Sequence, residues 1–209
     1  MAAPPRRPAK AEGSSASRTR KRKVLARLRR EEAAGVLRTL LERHPELVAE
    51  AEEIARVAVA DVDADAVAAD VEQAVLDLDN DDLETRAGRH SWGYVEPTEA
   101  AWELLEEALE PFLADMKRHI ELGFEAAATA TCTGLVLGLY RCRGENADQV
   151  LGWAVDFPAE TASEAVAMLV QESAARHRHT WRLADAVLDQ VPEWAAMIKR
   201  TSKPASQKR

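Results

Sequence analysis

From Ala126 to Tyr140 the chain runs fifteen residues without a charged side chain (AAATATCTGLVLGLY), inside a sequence that is 31% charged. No other stretch is so uniformly withdrawn from water, and this one predicts the helix around which the others pack. Ala126, Ala130, Gly134, Gly138 and Cys142 recur every four residues, which sets small side chains in one stripe along a helix and lets another backbone approach. Leu135, Val136, Leu137, Leu139 and Tyr140 supply bulk on the other sides. A helix spanning a bilayer needs about 20 apolar residues. This run is shorter, rich in Thr and closed by Arg141 and Arg143, so it reads as a helix buried in protein, with no membrane partner.

The charge is unevenly spread. Residues 1–30 carry eleven Lys/Arg against Glu12 alone, and the tail from Lys199 to Arg209 adds five basic residues and no acidic one. Residues 31–198 hold twelve Lys/Arg against thirty-five Asp/Glu, a net charge of −23. The division expected is therefore a basic, largely disordered arm (1–30), an acidic all-helical domain (31–198) and a basic disordered tail (199–209). Residues 6–30 form a candidate phosphate-contacting arm, centred on Arg18, Arg20, Lys21, Arg22, Lys23 and Arg27. The alternative is a solvated, solubilising tail. Cys132 and Cys142 lie ten residues apart on one predicted helix, about 15 Å along its axis. That exceeds the reach of a disulfide or a shared metal, so both read as small buried residues in a reducing cytoplasm.

In chain order, Glu31–His44 has helical spacing at Ala34, Leu37, Leu40 and Leu41, and Pro45 opens a second helix from Glu46. Asp61, Asp63, Asp65 and Glu72 fall at positions one, three, five and twelve of a calcium loop of the EF-hand type. Ala66 stands where that loop needs glycine, and the better reading is Asp capping of a helix running to about Leu78, with no metal. Residues 79–98 lack a clean period. Arg89, Trp92 and Tyr94 crowd there between Gly88, Gly93 and Pro97, and are the candidate protein-partner site, because interface hot spots favour these three residue types. The competing reading folds Trp92 and Tyr94 back over the helices as a plug.

Trp102, Leu105, Leu109, Phe112 and Met116 alternate by three and four straight through Pro111, predicting a long helix bent near Glu110 and ended by Gly123. His119 sits at its apolar edge and reads as a packed histidine. After the central run, short helices are expected over Glu145–Phe157, from Pro158, around Trp181–Leu188 and from Pro192. His177 and His179, two apart, cannot chelate from one helix face.

No glycine-rich phosphate loop, nucleophile elbow, cysteine knuckle or His-Glu-x-x-His motif is present. The fold expected is all-α, a compact stack of helical hairpins (α-solenoid-like or an irregular bundle) around the buried central helix. The segments LLERHPELVAEAEEIA (Leu40–Ala55) and WGYVEPTEAAWELLEEALEPF (Trp92–Phe112) resemble those of uncharacterised bacterial all-helical proteins. That resemblance covers about a third of the chain and implies a bacterial cytoplasmic setting but no activity. The functional expectation is a non-enzymatic protein-interaction module without cofactor. A nucleic-acid-associated protein using the arm stands as the alternative, and an enzyme of unidentified chemistry as a further one.

Overall fold

The computed structural model describes residues 24–91, 93–144 and 149–203, and the fold is all-α with one small hairpin. The helices are α1 (Arg30–Arg43), α2 (Val48–Ala60), α3 (Ala64–Leu76), α4 (Asn80–Arg86), α5 (Pro97–Leu122), α6 (Glu125–Cys142), α7 (Phe157–Arg176), α8 (Asp185–Gln190) and α9 (Pro192–Thr201). Strands β1 (Gly88–His90) and β2 (Gly93–Val95) pair antiparallel between α4 and α5. Single 3-10 turns cover Pro45–Leu47 and Val150–Trp153. Among the described residues no helix is long and apolar enough to cross a membrane.

Two compact units divide the chain, residues 1–55 and 56–209. In the first, α1 starts where the Glu32 carboxylate accepts from both the backbone N–H and the guanidinium of Arg29. No residue of α1 is buried, and Val36, Leu37 and Leu40 lie exposed.

The core belongs to the second unit. Eleven of the eighteen residues of α6 are buried, and α6 packs against α3, α5, α7 and α8. Its closest neighbour is α3. An added Cβ on Gly134 would stand 2.5 Å from Val67 Cβ and 2.8 Å from the Ala64 carbonyl; one on Gly138 would stand 2.6 Å from the Ala68 carbonyl. The four-residue spacing of these glycines thus places bare backbone under α3, at separations a methyl group cannot share.

Asp63 caps α3, its carboxylate accepting the Asp65 N–H at 3.0 Å. Because the helix begins at Ala64, positions four to twelve of the would-be calcium loop are helical, and a helix cannot turn those carboxylates around one ion. α5 passes through Pro111 and closes on Gly123 in the left-handed region (φ 77°), as its sequence predicts.

The irregular stretch 79–98 proves more ordered than its lack of period implies. Asp79 caps α4 through the N–H groups of Asp81 and Asp82, and the Arg86 guanidinium grips both carboxylate oxygens of Glu107 on α5 at 2.8 and 2.9 Å. A seven-residue helix with one buried side chain, Leu83, has too few turns to show a period. The helix expected over Glu145–Phe157 is corrected too. Its described part is the 3-10 turn, with Trp153 and Val155 exposed, so its apolar residues share no face; residues 145–148 lie outside the described set. Trp181 also precedes α8, which begins only at Asp185. Its N–H is taken by the Ser173 hydroxyl at 2.9 Å and its ring stacks on His177 at 4.4 Å, and these tertiary contacts hold the segment out of a helix.

Two exposed ion pairs yield a pH prediction. The hydrogen bonds from Arg86 hold the Glu107 carboxyl below the usual glutamate range, and those from Arg143 do the same to Glu193. Both groups are depressed, so any stability they contribute is complete above the ordinary glutamate value and lost as the pH falls through the lowered ones. Carbon-detected titration by NMR is expected to show both carboxylates titrating below the usual glutamate range. In Arg86→Ala, Glu107 returns to the ordinary range while Glu193 stays low.

Candidate interaction groove

α5 and α7 lie side by side and point the same way: Trp102 meets Phe157 edge-on at 5.0 Å, and nineteen residues further along both, Arg176 reaches Glu121 at 3.8 Å. Two parallel helices whose apolar residues turn inward leave a furrow along their outer seam. Here it is a cleft of about 630 Å³. Its floor is Trp102, Leu109 and Phe157, widened by Leu113 and Met168. Phe157 and Leu109 are buried, whereas Trp102, Leu113 and Met168 are half-buried and present their remaining surface to the cleft.

The rim is polarised. Glu106, Glu110 and Glu164 edge one half, and Lys117 and Arg118 edge the other. All five are exposed. Glu121, at the basic end, is already engaged by Arg176, which also pairs with Glu172 at 3.0 Å. The cleft therefore offers an apolar strip about three turns long, acidic at one end and basic at the other. It has the shape and charge to seat an amphipathic helix.

The C-terminal end of α6 is clamped to α9. Arg143 holds both carboxylate oxygens of Glu193 on α9 at 2.8 Å, caps the Tyr140 carbonyl and lies 3.4 Å over the Tyr140 ring. The sequence placed Arg143 only as the end of an apolar run. Its role as a clamp depends on Glu193, fifty residues away, which no local pattern reveals.

The residues singled out from the sequence fall elsewhere. Arg89 and Tyr94 are direct cross-strand partners in the β1–β2 hairpin, both exposed, Tyr94 by 60%. Tyr94 therefore does not fold back as a plug. Trp92 lies outside the described residues. Of the basic arm, Arg18, Arg20, Lys21, Arg22 and Lys23 lie outside them as well; Arg27 is described and exposed. His177 and His179 sit beyond the end of α7, where they serve structure. The His177 ring donates to the Ile120 carbonyl at 2.7 Å, satisfying the C-terminal end of α5, and His179 lies 2.7 Å from Glu125. The residues that line the groove escaped notice because each belongs to a helix face that also reads as ordinary core packing. The signal that was available is the excess width of the apolar face on α5, where Leu109, Phe112, Leu113 and Met116 exceed the stripe one neighbour can cover. Compared with protein families, with curated proteins and with solved structures, the chain matches none.

Proposed function

We propose that the chain is a protein-interaction module that receives an amphipathic helix of a partner protein in the α5–α7 groove. The observation that carries this reading is the polarised rim around an apolar floor. Helices tend to hold acids in their first turn and bases in their last, because the macrodipole favours both. Such a helix matches the rim in one direction only, with its basic C-terminal half over Glu106, Glu110 and Glu164 and its acidic N-terminal half over Lys117 and Arg118. It then lies antiparallel to α5 and α7. Arg89 and Tyr94 on the hairpin remain a second surface by residue type, but the groove adds a concave apolar floor that two cross-strand side chains do not provide.

The test uses the full chain and a synthetic sixteen-residue peptide of zero net charge, with Leu at helical spacing, Glu in the first half and Lys in the second. Zero charge removes non-specific attraction to a protein of net charge −8. Saturable binding is expected, with helix induced in the peptide. Leu113→Asp and Met168→Asp should each weaken it at least tenfold, as should the triple reversal Glu106→Lys, Glu110→Lys, Glu164→Lys. Binding unchanged by all of these, or no binding at all, refutes the groove as the docking site.

A further inference from the structure

A second cavity, of about 440 Å³, opens between the start of α3 and the faces of α5 and α6. Its walls are apolar at Val62, Val67 and Phe112, and its mouth carries Asp61, Asp63, Asp70 and Asp115 against the single cation Arg118. An acidic mouth alone can be a solvated surface. What sets this one apart is the side chain lining it from within.

His119 is 7% exposed and borders the cavity together with Thr131. The Thr131 hydroxyl donates its one proton to the Ala127 carbonyl at 2.9 Å, so its contact with His119 Nδ1 at 3.2 Å leaves the threonine oxygen as acceptor and the imidazole Nδ1–H as donor. That hydrogen-bond chain fixes the tautomer. Nε2 then carries the lone pair, and no protein donor meets it among the described residues. No buried side-chain nitrogen there is left unsatisfied, so Nε2 is open to solvent. Burial also pushes the imidazole pKa down; Asp115 opposes that shift and Arg118 adds to it. The ring is neutral at pH 7 and its lone pair stays open. A ring nitrogen held as a fixed acceptor beside an apolar-walled cavity can take a hydrogen bond from a donor that enters it.

We infer that this cavity binds a small organic cation of the aliphatic diamine or polyamine class, one ammonium donating to His119 Nε2 and the methylene chain lying along Val62, Val67 and Phe112. A second ammonium rests among the aspartates at the mouth. The complement is a donor for the one acceptor inside, apolar contact for the walls and positive charge for a mouth of net charge −3. A bare metal ion fits less well: among the described residues no three His, Cys, Asp or Glu are arranged to hold one.

Titration of the full chain with butane-1,4-diamine, followed through the His119 ring nitrogens by long-range 1H–15N NMR, tests the assignment. A saturable shift confined to Nε2 is expected, with Nδ1 little changed because its bond to Thr131 persists. His119→Asn places an amide nitrogen near the Nδ1 position and removes Nε2, and should weaken binding at least tenfold by calorimetry. His119→Gln, which restores a polar atom near Nε2, should recover part of that loss. Asp70→Asn, an exposed change that does not threaten the fold, should weaken binding severalfold. Three outcomes overturn the inference: no saturable shift in the wild-type chain; affinity indifferent to both His119→Asn and Asp70→Asn; or the same Nε2 shift produced by magnesium ion alone.

Discussion

Replacing Gly134 and Gly138 together by alanine is expected to destabilise the second unit by about 3 kcal/mol or more, from two added methyl groups. In most helices the same change stabilises by up to about 1 kcal/mol, because alanine is the better helix former. The sign inverts here because the space is occupied. The new Cβ at 138 meets the Ala68 carbonyl and Val71, and that at 134 meets Val67 and the Ala64 carbonyl, all within 2.8 Å. Val67 can shift a side chain, but a carbonyl belongs to the backbone of α3, which must move as a body. Each single change should cost about 1–3 kcal/mol. As both wedge the same pair of helices, the double cost should fall short of the sum. Urea denaturation followed by circular dichroism measures it. Gly35→Ala is the internal control: nothing lies within 4 Å of that Cβ, on a helix with no buried residue, and it should leave the transition in place while slightly raising helicity. Should the double variant unfold at the wild-type midpoint, the close α3–α6 approach is disproved.

That approach was legible in the sequence because its cause is local. The four-residue recurrence survives into the fold at Gly134 and Gly138, which lie against α3, while Ala126 at its start is exposed; the Asp63 cap, the passage of α5 through Pro111 and its closure by Gly123 hold as well. Elements went unread where their ordering comes from far away. α4 shows one buried leucine and a cap, and is held by an arginine that finds its glutamate twenty-one residues later. The β1–β2 hairpin rests on Gly88 and Gly93, both at positive φ, and three residues per strand are too few to display an alternation. Both cavities were illegible for a related reason. A groove arises from the distance between two faces, and the sequence of either helix contains only its own. The sequence shows His119 as a packed residue, but which ring nitrogen is bonded depends on Thr131 presenting its oxygen and keeping its proton for Ala127.

Trp181→Ala is expected to cost about 3–5 kcal/mol, the range for emptying a large buried aromatic site. The ring is 2% exposed and is the largest fully buried side chain among the described residues. It plugs the turn after α7, where regular structure lapses between Arg176 and Asp185 and no helix packing replaces it. Three contacts make the site specific. The His177 ring stacks on the indole at an interplanar angle of 12° while its Nε2 binds the Ile120 carbonyl, so the indole also steadies the end of α5. Its Nε1–H points to His179 at 3.1 Å, and its backbone N–H is taken by Ser173. These parts separate by substitution. Trp181→Phe keeps most of the apolar area and forfeits the Nε1–H bond, for a loss of about 1 kcal/mol from that bond. Ser173→Ala retains the indole but strands a buried N–H, which costs about 1–3 kcal/mol. Chemical denaturation should therefore rank the variants with alanine at 181 worst, alanine at 173 next and phenylalanine at 181 mildest. A Trp181→Ala loss below about 1 kcal/mol would mean that the indole fills space the turn can do without.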